Sequence, residues 1–351
     1  IVPEGLTGLQ LSFNFTVRKC NSGGNFMKKG LKPKPLLLFS IIDLNQLCKE
    51  NHLEGAVLTD FSVGWNQNVY LLFEQPSGQK NEVWLKTPTI YTVVEIKVDW
   101  TEQKMMEVTV FPMGLLQFQF HFLRLIEDNF LLLGARCAYR KDGPDKNAWI
   151  IHRSGTVLSK FCLGDGIQNC VVKSDGTIIT SYFDEGVYGN YGWADLSCSH
   201  GYVPPIGEWG LIAWTHEGIP LWKNQTYPID DCYAISLDEH EKLWFYYYSD
   251  FRLVQTDFKN DSVFDLPLKG SNAFSVAHSS KRFLFQGGYQ QEHKFYFLTC
   301  QGSCLEKKQE AIPVFQKSKV TVERYSLLHN QMLFLGEDGV LYGGVLAESG
   351  E

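Results

Sequence analysis

The 351-residue sequence lacks an apolar run of about 18 residues, the length that a membrane-spanning helix requires. It also lacks a stripe of lysine and arginine, and its formal net charge is −7. Proteins that bind nucleic acids use basic surfaces to neutralise phosphates. We therefore expect a partner that is neither a membrane nor a nucleic acid.

The motifs of common enzyme classes are missing as well. The sequence contains no GxSxG elbow, P-loop, dinucleotide fingerprint or HExxH. Its nine histidines are scattered without metal-ligand spacing, and its nine cysteines form no CxxC pair. This pattern favours reduced, mostly buried cysteines and a cytoplasmic protein. It also predicts that no cofactor is bound.

Short apolar segments, separated by polar turns, recur along the whole chain. Aromatic residues make up 14% of the sequence, and they are favoured in strands because they pack on half-buried sheet surfaces. Pairing the recurring hairpins gives units of about 40–60 residues, a spacing typical of β-propellers. The predicted units are 54–114, 115–164, 165–228, 229–271, 272–317 and 318–349.

The last unit has too few strands, whereas the hairpin predicted at 36–49 has no unit of its own. We therefore predict an all-β protein, a six-bladed β-propeller whose last blade is closed by this N-terminal hairpin. Closure in this way leaves no exposed blade edge. Two β-sandwich domains are the alternative, since they also use many short strands. A helical turn is predicted only at 44–51.

The N-terminal residues 1–26 show little periodicity, and Met27-Lys28-Lys29 is typical of a bacterial start. We expect 1–26 to be an upstream or disordered segment and 27–351 to form a single propeller domain. A native strand over 9–17 is the alternative.

The segment 184–193, DEGVYGNYGW, is too rich in glycine, aromatic and acidic residues for a plain turn. In a four-stranded blade, the loop between the second and third strands emerges on the same face as the blade-to-blade loops. We therefore expect this segment to meet 134–144 and 163–166. Arginine forks and rigid aromatic rings suit a ligand pocket. The candidate ligand-binding residues are Arg136, Arg140, Asp165, Asp184, Glu185, Tyr188, Asn190 and Trp193.

Each candidate also has a structural interpretation. Arg136 can pair with Asp165 or Asp184 and so lock adjacent blades, and the large aromatic residues can fill the central channel. Alternatively, Asp165, Asp184, Glu185 and Asn190 supply the hard oxygen ligands that Ca²⁺ prefers.

Five short segments carry a resemblance to a known group of proteins. They are 133–137 (LGARC), 147–149 (NAW), 164–167 (GDGI), 181–193 (SYFDEGVYGNYGW) and 210–212 (GLI). Together they resemble uncharacterised bacterial proteins with a propeller-like fold, over about residues 115–225. The resemblance implies a bacterial, cytoplasmic protein and no particular activity.

These observations favour a non-catalytic binding protein that recognises a small ligand or a protein partner through the loop face of a propeller. The alternative is a metal-assisted hydrolase or lyase that acts on a sugar or lactone through Asp165, Asp184 and Glu185. Fold alone does not decide between them.

Overall fold

Antiparallel meanders of short strands make up nearly all of the computed structural model, which describes residues 32–76, 87–197, 201–279 and 281–346. All of these residues lie in one unit, Leu31–Glu351. The segment 1–26, predicted to be upstream or disordered, lies outside the described residues.

The chain begins with β1 (Lys34–Leu37), β2 (Phe39–Asp43) and α1 (Leu44–Glu50), and six four-stranded units, here called blades 1 to 6, contain most of the remaining strands. Blade 1 contains β3 (Val57–Val63), β4 (Val69–Pro76), β5 (Thr89–Asp99) and β6 (Lys104–Leu116). Blade 2 contains β7 (Phe122–Ile126) and β8 (Asn129–Leu133), then a small hairpin of β9 (Tyr139–Arg140) and β10 (Gly143–Pro144), then β11 (Ala148–Ile151) and β12 (Val157–Phe161).

Blade 3 contains β13 (Ile167–Val172), β14 (Ile178–Tyr182), the helix α2 (Asp184–Tyr188), a 3-10 turn (Ile206–Trp209), β15 (Leu211–Trp214) and β16 (Pro220–Lys223). Blade 4 contains β17 (Asp231–Leu237), β18 (Leu243–Tyr248), β19 (Arg252–Thr256) and β20 (Asp261–Asp265). Blade 5 contains β21 (Phe274–Ala277), β22 (Arg282–Gln286), β23 (Phe295–Gln301) and β24 (Cys304–Phe315), to which β25 (Ser318–Lys319) adds. Blade 6 contains β26 (Val322–Ser326), β27 (Gln331–Gly336), β28 (Val340–Val345) and, from the N-terminal region, β2.

The strands of a blade bury side chains on both faces of the sheet. On β4, Val69, Leu71 and Phe73 pack in one hydrophobic cluster, while the alternating Tyr70 and Leu72 pack in another. Side chains alternate in this way because successive residues of a strand point to opposite faces. Each sheet therefore shares a core with two neighbours.

Six such clusters occur among the described residues, and each joins two blades. Five of them lie between blades that follow each other in sequence. The sixth joins the ends of the series, because Leu333 and Leu335 of blade 6 pack with Val69 and Leu71 of blade 1. Two separate sandwiches would not share a core in this manner. The ring of sheets confirms the predicted propeller.

A small cavity of about 90 Å³ lies at the centre of the ring. All six blades contribute to its wall, through Asp60, Arg124, Asn169, Ile235, Ala273 and Ser326. Arg124 is buried there and donates to the Asp60 carboxylate and to the carbonyl oxygen of Cys170, both at 2.6 Å. A volume of this size holds a few water molecules at most, so the channel is filled mainly by the protein's own side chains.

The N-terminal segment closes the last blade, as predicted. β2 forms the outer strand of blade 6 by pairing with β28, with Phe39 opposite Gly343. The closing element is a single strand rather than a hairpin, because α1 follows it directly and β1 instead runs parallel to β24 in blade 5. Asp43 caps α1 by accepting a 2.8 Å hydrogen bond from the backbone of Asn45, which fixes the switch from strand to helix.

The helix predicted at 44–51 is confirmed as α1, whereas α2 and the 3-10 turn were not expected. In the part of the chain that the structure describes, none of the helices has the length and apolarity needed to cross a membrane.

The cysteines are only partly in the expected state. Six described cysteines are free thiols, namely Cys48, Cys137, Cys162, Cys170, Cys232 and Cys300. Cys304 is disulfide-bonded, which corrects the expectation that the cysteines are reduced.

Candidate functional site

Three loops meet on one face of the ring, as predicted, and Arg136 lies at their junction. Its guanidinium forms two hydrogen bonds with Asp165, Nε to Oδ1 at 3.0 Å and Nη2 to Oδ2 at 2.9 Å. Its third nitrogen, Nη1, lies 2.6 Å from the Glu185 carboxylate. The Tyr191 ring covers the guanidinium at 4.3 Å. Arg136 therefore ties the loops of blades 2 and 3 together.

Burial and charge act against each other in this group, which we call the Arg136 cluster (Arg136, Asp165, Glu185, Asn190 and Tyr191). Burial raises the pKa of Asp165, and the hydrogen bonds from Arg136 only partly offset this effect. Hydrogen bonds from Asn190 and Arg136 lower the pKa of the more exposed Glu185. Burial opposes the charge of Arg136, but its carboxylate partners raise its pKa.

Glycine makes this junction possible where the loops approach most closely. A side chain on Gly186 would lie 2.6 Å from the carbonyl oxygen of Asp165, and one on Gly166 would lie 2.3 Å from the backbone nitrogen of Gly186. The backbone of α2 can therefore lie directly on the loop between blades 2 and 3. This contact orients Glu185 toward Arg136.

The long loop of blade 3 is fastened to blade 2 by Trp193. The indole is buried, and its nitrogen donates to the carbonyl oxygen of Cys137 at 2.7 Å. The Tyr139 ring packs edge-on against it at 4.9 Å. Arg140 lies on the same small hairpin, but it forms a fork with Asp145 of its own loop, with hydrogen bonds of 2.9 to 3.1 Å.

Tyr188 and Asp184 lie away from Arg136, on the side of α2 that faces blade 4. Tyr188 is 62% exposed, and its hydroxyl donates to the Asp230 carboxylate, which raises the pKa of the phenol. Asp184 is exposed, and its carboxylate caps the backbone of Glu185 at 2.7 Å. The structure thus divides the predicted candidates into two groups on one face.

Asp231, beside this second group, was not predicted as a site residue. Burial raises its pKa to about 7, and the negative charge of Asp184 adds to the shift. Its buried Oδ1 has no hydrogen-bond partner. The position at the first residue of β17 was the only signal in the sequence, and an aspartate at a strand end is too common to single out.

A surface depression of about 300 Å³ lies next to Tyr188, and we call it the Tyr188 groove. Aromatic rings and carboxylates form much of its wall. It is lined by Val187, Tyr188, Glu208, Trp209, Asn224, Gln225, Tyr227, Pro228, Ile229 and Asp230.

The exposed aromatic surface continues from the groove onto blades 4 and 5. The backbone of Asp230 donates to the carbonyl oxygen of Tyr248 at 3.1 Å. The Tyr248 ring stacks on Tyr233, with 6.2 Å between ring centroids, and the Tyr233 and Tyr289 hydroxyls are 2.5 Å apart. We call Tyr233, Tyr248 and Tyr289 the tyrosine arc. Sequence reasoning missed it, although Tyr248 ends a strand and Tyr289 lies in a turn.

The chemistry predicted for a calcium ion does not fit these side chains. Both carboxylate oxygens of Asp165 are bound by Arg136, while Asp184 and Glu185 lie on different sides of α2. Across the described residues, no group of three acidic, histidine or cysteine side chains is placed to hold a metal ion.

Comparison with protein families gives one match. Residues 209–343 are similar to the YxzG family, over somewhat more than a third of the chain. This segment begins at the end of the 3-10 turn and extends to blade 6. The resemblance predicted over 115–225 overlaps it only slightly, so the loop motif at 184–193 stays a prediction. No curated protein matches the chain significantly.

Several solved structures are similar to the chain at low sequence identity. The Mitotic Checkpoint Complex structure contains a chain with 10% identity and a TM-score of 0.45, over 90% of this chain and 96% of that one. A catalytically inactive virginiamycin B lyase from Staphylococcus aureus with quinupristin has 12% identity and a TM-score of 0.42, over 83% and 96%. YCF48 bound to D1 peptide has 10% identity and a TM-score of 0.42, over 90% and 98%. Because all three scores are below 0.5, the fold assignment rests on the sheets and shared cores described above.

Proposed function

We propose that this propeller is a non-catalytic binding protein and that it binds a protein partner through the Tyr188 groove and the tyrosine arc. The observation that carries this proposal is a continuous, exposed tyrosine surface on the loop face. Tyr188, Tyr248 and Tyr289 are 62%, 41% and 51% exposed. Tyrosine gives large contact area at low entropic cost, and it is enriched at protein interfaces.

The charge of the groove indicates the chemistry of the partner. Asp230 and Glu208 line it, Asp184 is exposed on the adjoining helix, and the whole chain carries a net charge of −7. A lysine or arginine side chain can pair with these carboxylates and stack on an aromatic ring. The proposed ligand is therefore a segment of a protein that presents a basic residue.

The Arg136 cluster has a different part in this proposal. Its carboxylates already satisfy the guanidinium, and Tyr191 covers it. Arg136, Asp165, Glu185, Asn190 and Trp193 thus position α2, while Tyr188 and Asp184 face the partner. Arg140 is bound to Asp145 and belongs with the positioning residues. The predicted cytoplasmic location is retained as part of the proposal, on the basis of the free thiols.

A peptide array tests the proposal through the chemistry of the ligand alone. The array should contain random peptides that carry one or two basic residues, together with matched peptides in which these are replaced by glutamine. We expect the wild-type protein to select basic peptides. Tyr188→Ala and Asp230→Asn should each weaken binding of the selected peptides by about tenfold or more, as at an interface hot spot.

The matched control is Ile219→Ala. Ile219 is also exposed, but it lies in the β15–β16 turn at the opposite end of blade 3. Equal loss of binding in this control, or peptide selection without regard to basic residues, would show that the groove is not the recognition surface. Thermal stabilisation by small molecules only, abolished in Tyr188→Ala, would instead identify the groove as a small-ligand site.

A further inference from the structure

Two free thiols lie side by side beneath the Arg136 cluster. The sulfur atoms of Cys137 and Cys162 are 3.5 Å apart. Cys137 lies in the loop that precedes β9, and Cys162 directly follows β12. Since a disulfide bond is about 2.0 Å long, the two sulfur atoms need to approach by only about 1.5 Å to form one.

The two thiols have different surroundings. Cys137 is fully buried, and its sulfur lies 3.0 Å from the carbonyl oxygen of Asp145, to which it can donate. Cys162 is partly exposed, and its sulfur accepts a 3.4 Å hydrogen bond from the backbone of Gly164. Solvent therefore has access to Cys162, whereas Cys137 lies behind it.

We propose that Cys162 and Cys137 form a peroxide-reactive dithiol, in which Cys162 reacts with the peroxide and Cys137 then closes the disulfide. This site is separate from the partner-binding surface and does not depend on that function. The substrate class is a hydroperoxide, with hydrogen peroxide as the simplest member.

The reaction is balanced by the two thiols and the peroxide alone. The Cys162 thiolate attacks one peroxide oxygen, so that a sulfur–oxygen bond forms, the oxygen–oxygen bond breaks and hydroxide leaves. The Cys137 sulfur then attacks the sulfenic acid on Cys162, so that the sulfur–sulfur bond forms and the hydroxyl group leaves as water with the Cys137 proton. Two electrons pass from the thiols to the peroxide.

The hydrogen bonds around the pair support this order. The Cys137 thiol and the Gly164 backbone donate to the Cys162 sulfur and lower the pKa of Cys162, although Asp145 and Asp165 oppose this effect. The hydrogen bond to Cys162 and burial both raise the pKa of Cys137. The thiolate is the reactive form, so the more exposed thiol is also the more nucleophilic one.

Mass spectrometry of the full-length wild-type protein tests the proposal. The reduced protein is treated with hydrogen peroxide, quenched with iodoacetamide at intervals and digested. We expect a peptide pair linked through Cys137 and Cys162, with the loss of two free thiols. Cys48 and Cys300 are internal controls, because both are partly exposed and burial raises the pKa of each. We expect them to react roughly tenfold more slowly.

Two variants separate the roles of the two cysteines. In Cys137→Ser, oxidation should stop at a sulfenic acid on Cys162 that dimedone labels. In Cys162→Ser, Cys137 should stay unmodified. If Cys137→Ser does not fold, the wild-type time course still decides. Faster oxidation of Cys48 or Cys300, or free thiols at both Cys137 and Cys162 after the controls have reacted, would overturn the proposal.

Discussion

Arg136 and Asp165 meet through two parallel hydrogen bonds, and the carboxylate that accepts them is almost completely inaccessible to solvent, with its side chain 2% exposed. The two residues belong to different loops, one within blade 2 and one between blades 2 and 3. Their pairing therefore decides how α2 and the residues beyond it are placed on the loop face.

We expect Arg136→Ala to destabilise the protein by roughly 3–5 kcal/mol, because it leaves the buried Asp165 carboxylate without its cation. Urea unfolding followed by tryptophan fluorescence measures the change. Lys97→Ala is the matched control, since Lys97 forms an equally short ion pair with Glu107 in which both side chains are more than half exposed. It should leave the unfolding midpoint unchanged. Similar midpoints for the two variants would argue against a clasp at Arg136.

Asp231→Asn should make stability less dependent on pH. The pKa of Asp231 is raised from 3.8 to about 7 in the folded protein, so the folded state holds a proton that the unfolded state has lost between these values. Wild-type stability therefore falls as the pH rises from about 4 to about 7. We expect Asp231→Asn to match the wild type near pH 4 and to be more stable at pH 8, by at most about 4 kcal/mol.

Thermal unfolding at the two pH values measures this difference. Asp184→Asn serves as a comparison, because it removes only the neighbouring charge that adds to the shift. Its gain at pH 8 should have the same sign and be smaller. A gain for Asp231→Asn that is equal at both pH values would mean that the side chain does not titrate in this range.

Arg324→Ala tests the closure of the ring. Arg324 of blade 6 donates to the carbonyl oxygens of Leu58 and Thr59 in blade 1, at 2.5 and 2.6 Å. Hydrogen bonds from a charged group and the packing of its stem both contribute, so we expect a loss of about 2 kcal/mol in urea unfolding. Arg252→Ala is the control, because Arg252 is largely exposed and its carboxylate contact is 3.9 Å. No difference between the variants would show that these carbonyl contacts are dispensable.

The fold could be predicted because its main signal is local. The alternation of Val69 to Phe73 between two cores is visible in the sequence as an unbroken apolar strand, which a blade between two neighbours requires. The turn Ser174-Asp175-Gly176 was equally readable: Gly176 has a φ of +81°, and Asp175 accepts from the backbone of Thr177 at 2.9 Å.

The site was less predictable, because it depends on a short helix. The interpretation of Asp184 and Glu185 as a strand end places them on opposite faces, whereas in α2 they are separated by a helical rotation that turns only Glu185 toward Arg136. Contacts such as Tyr233 with Tyr289 join residues 56 positions apart. Nothing in their separate turns shows that they meet.

The pairing of β2 with β28 also sets an order on the birth of the molecule. Phe39 and its partner Gly343 are about 300 residues apart, so at ordinary rates of translation roughly 15 to 60 s pass between their synthesis. During that interval one of the first segments to leave the ribosome has no mate, and a chaperone that binds nascent chains is the natural company for its apolar side. The finished circle thus comes into being only after translation is nearly over.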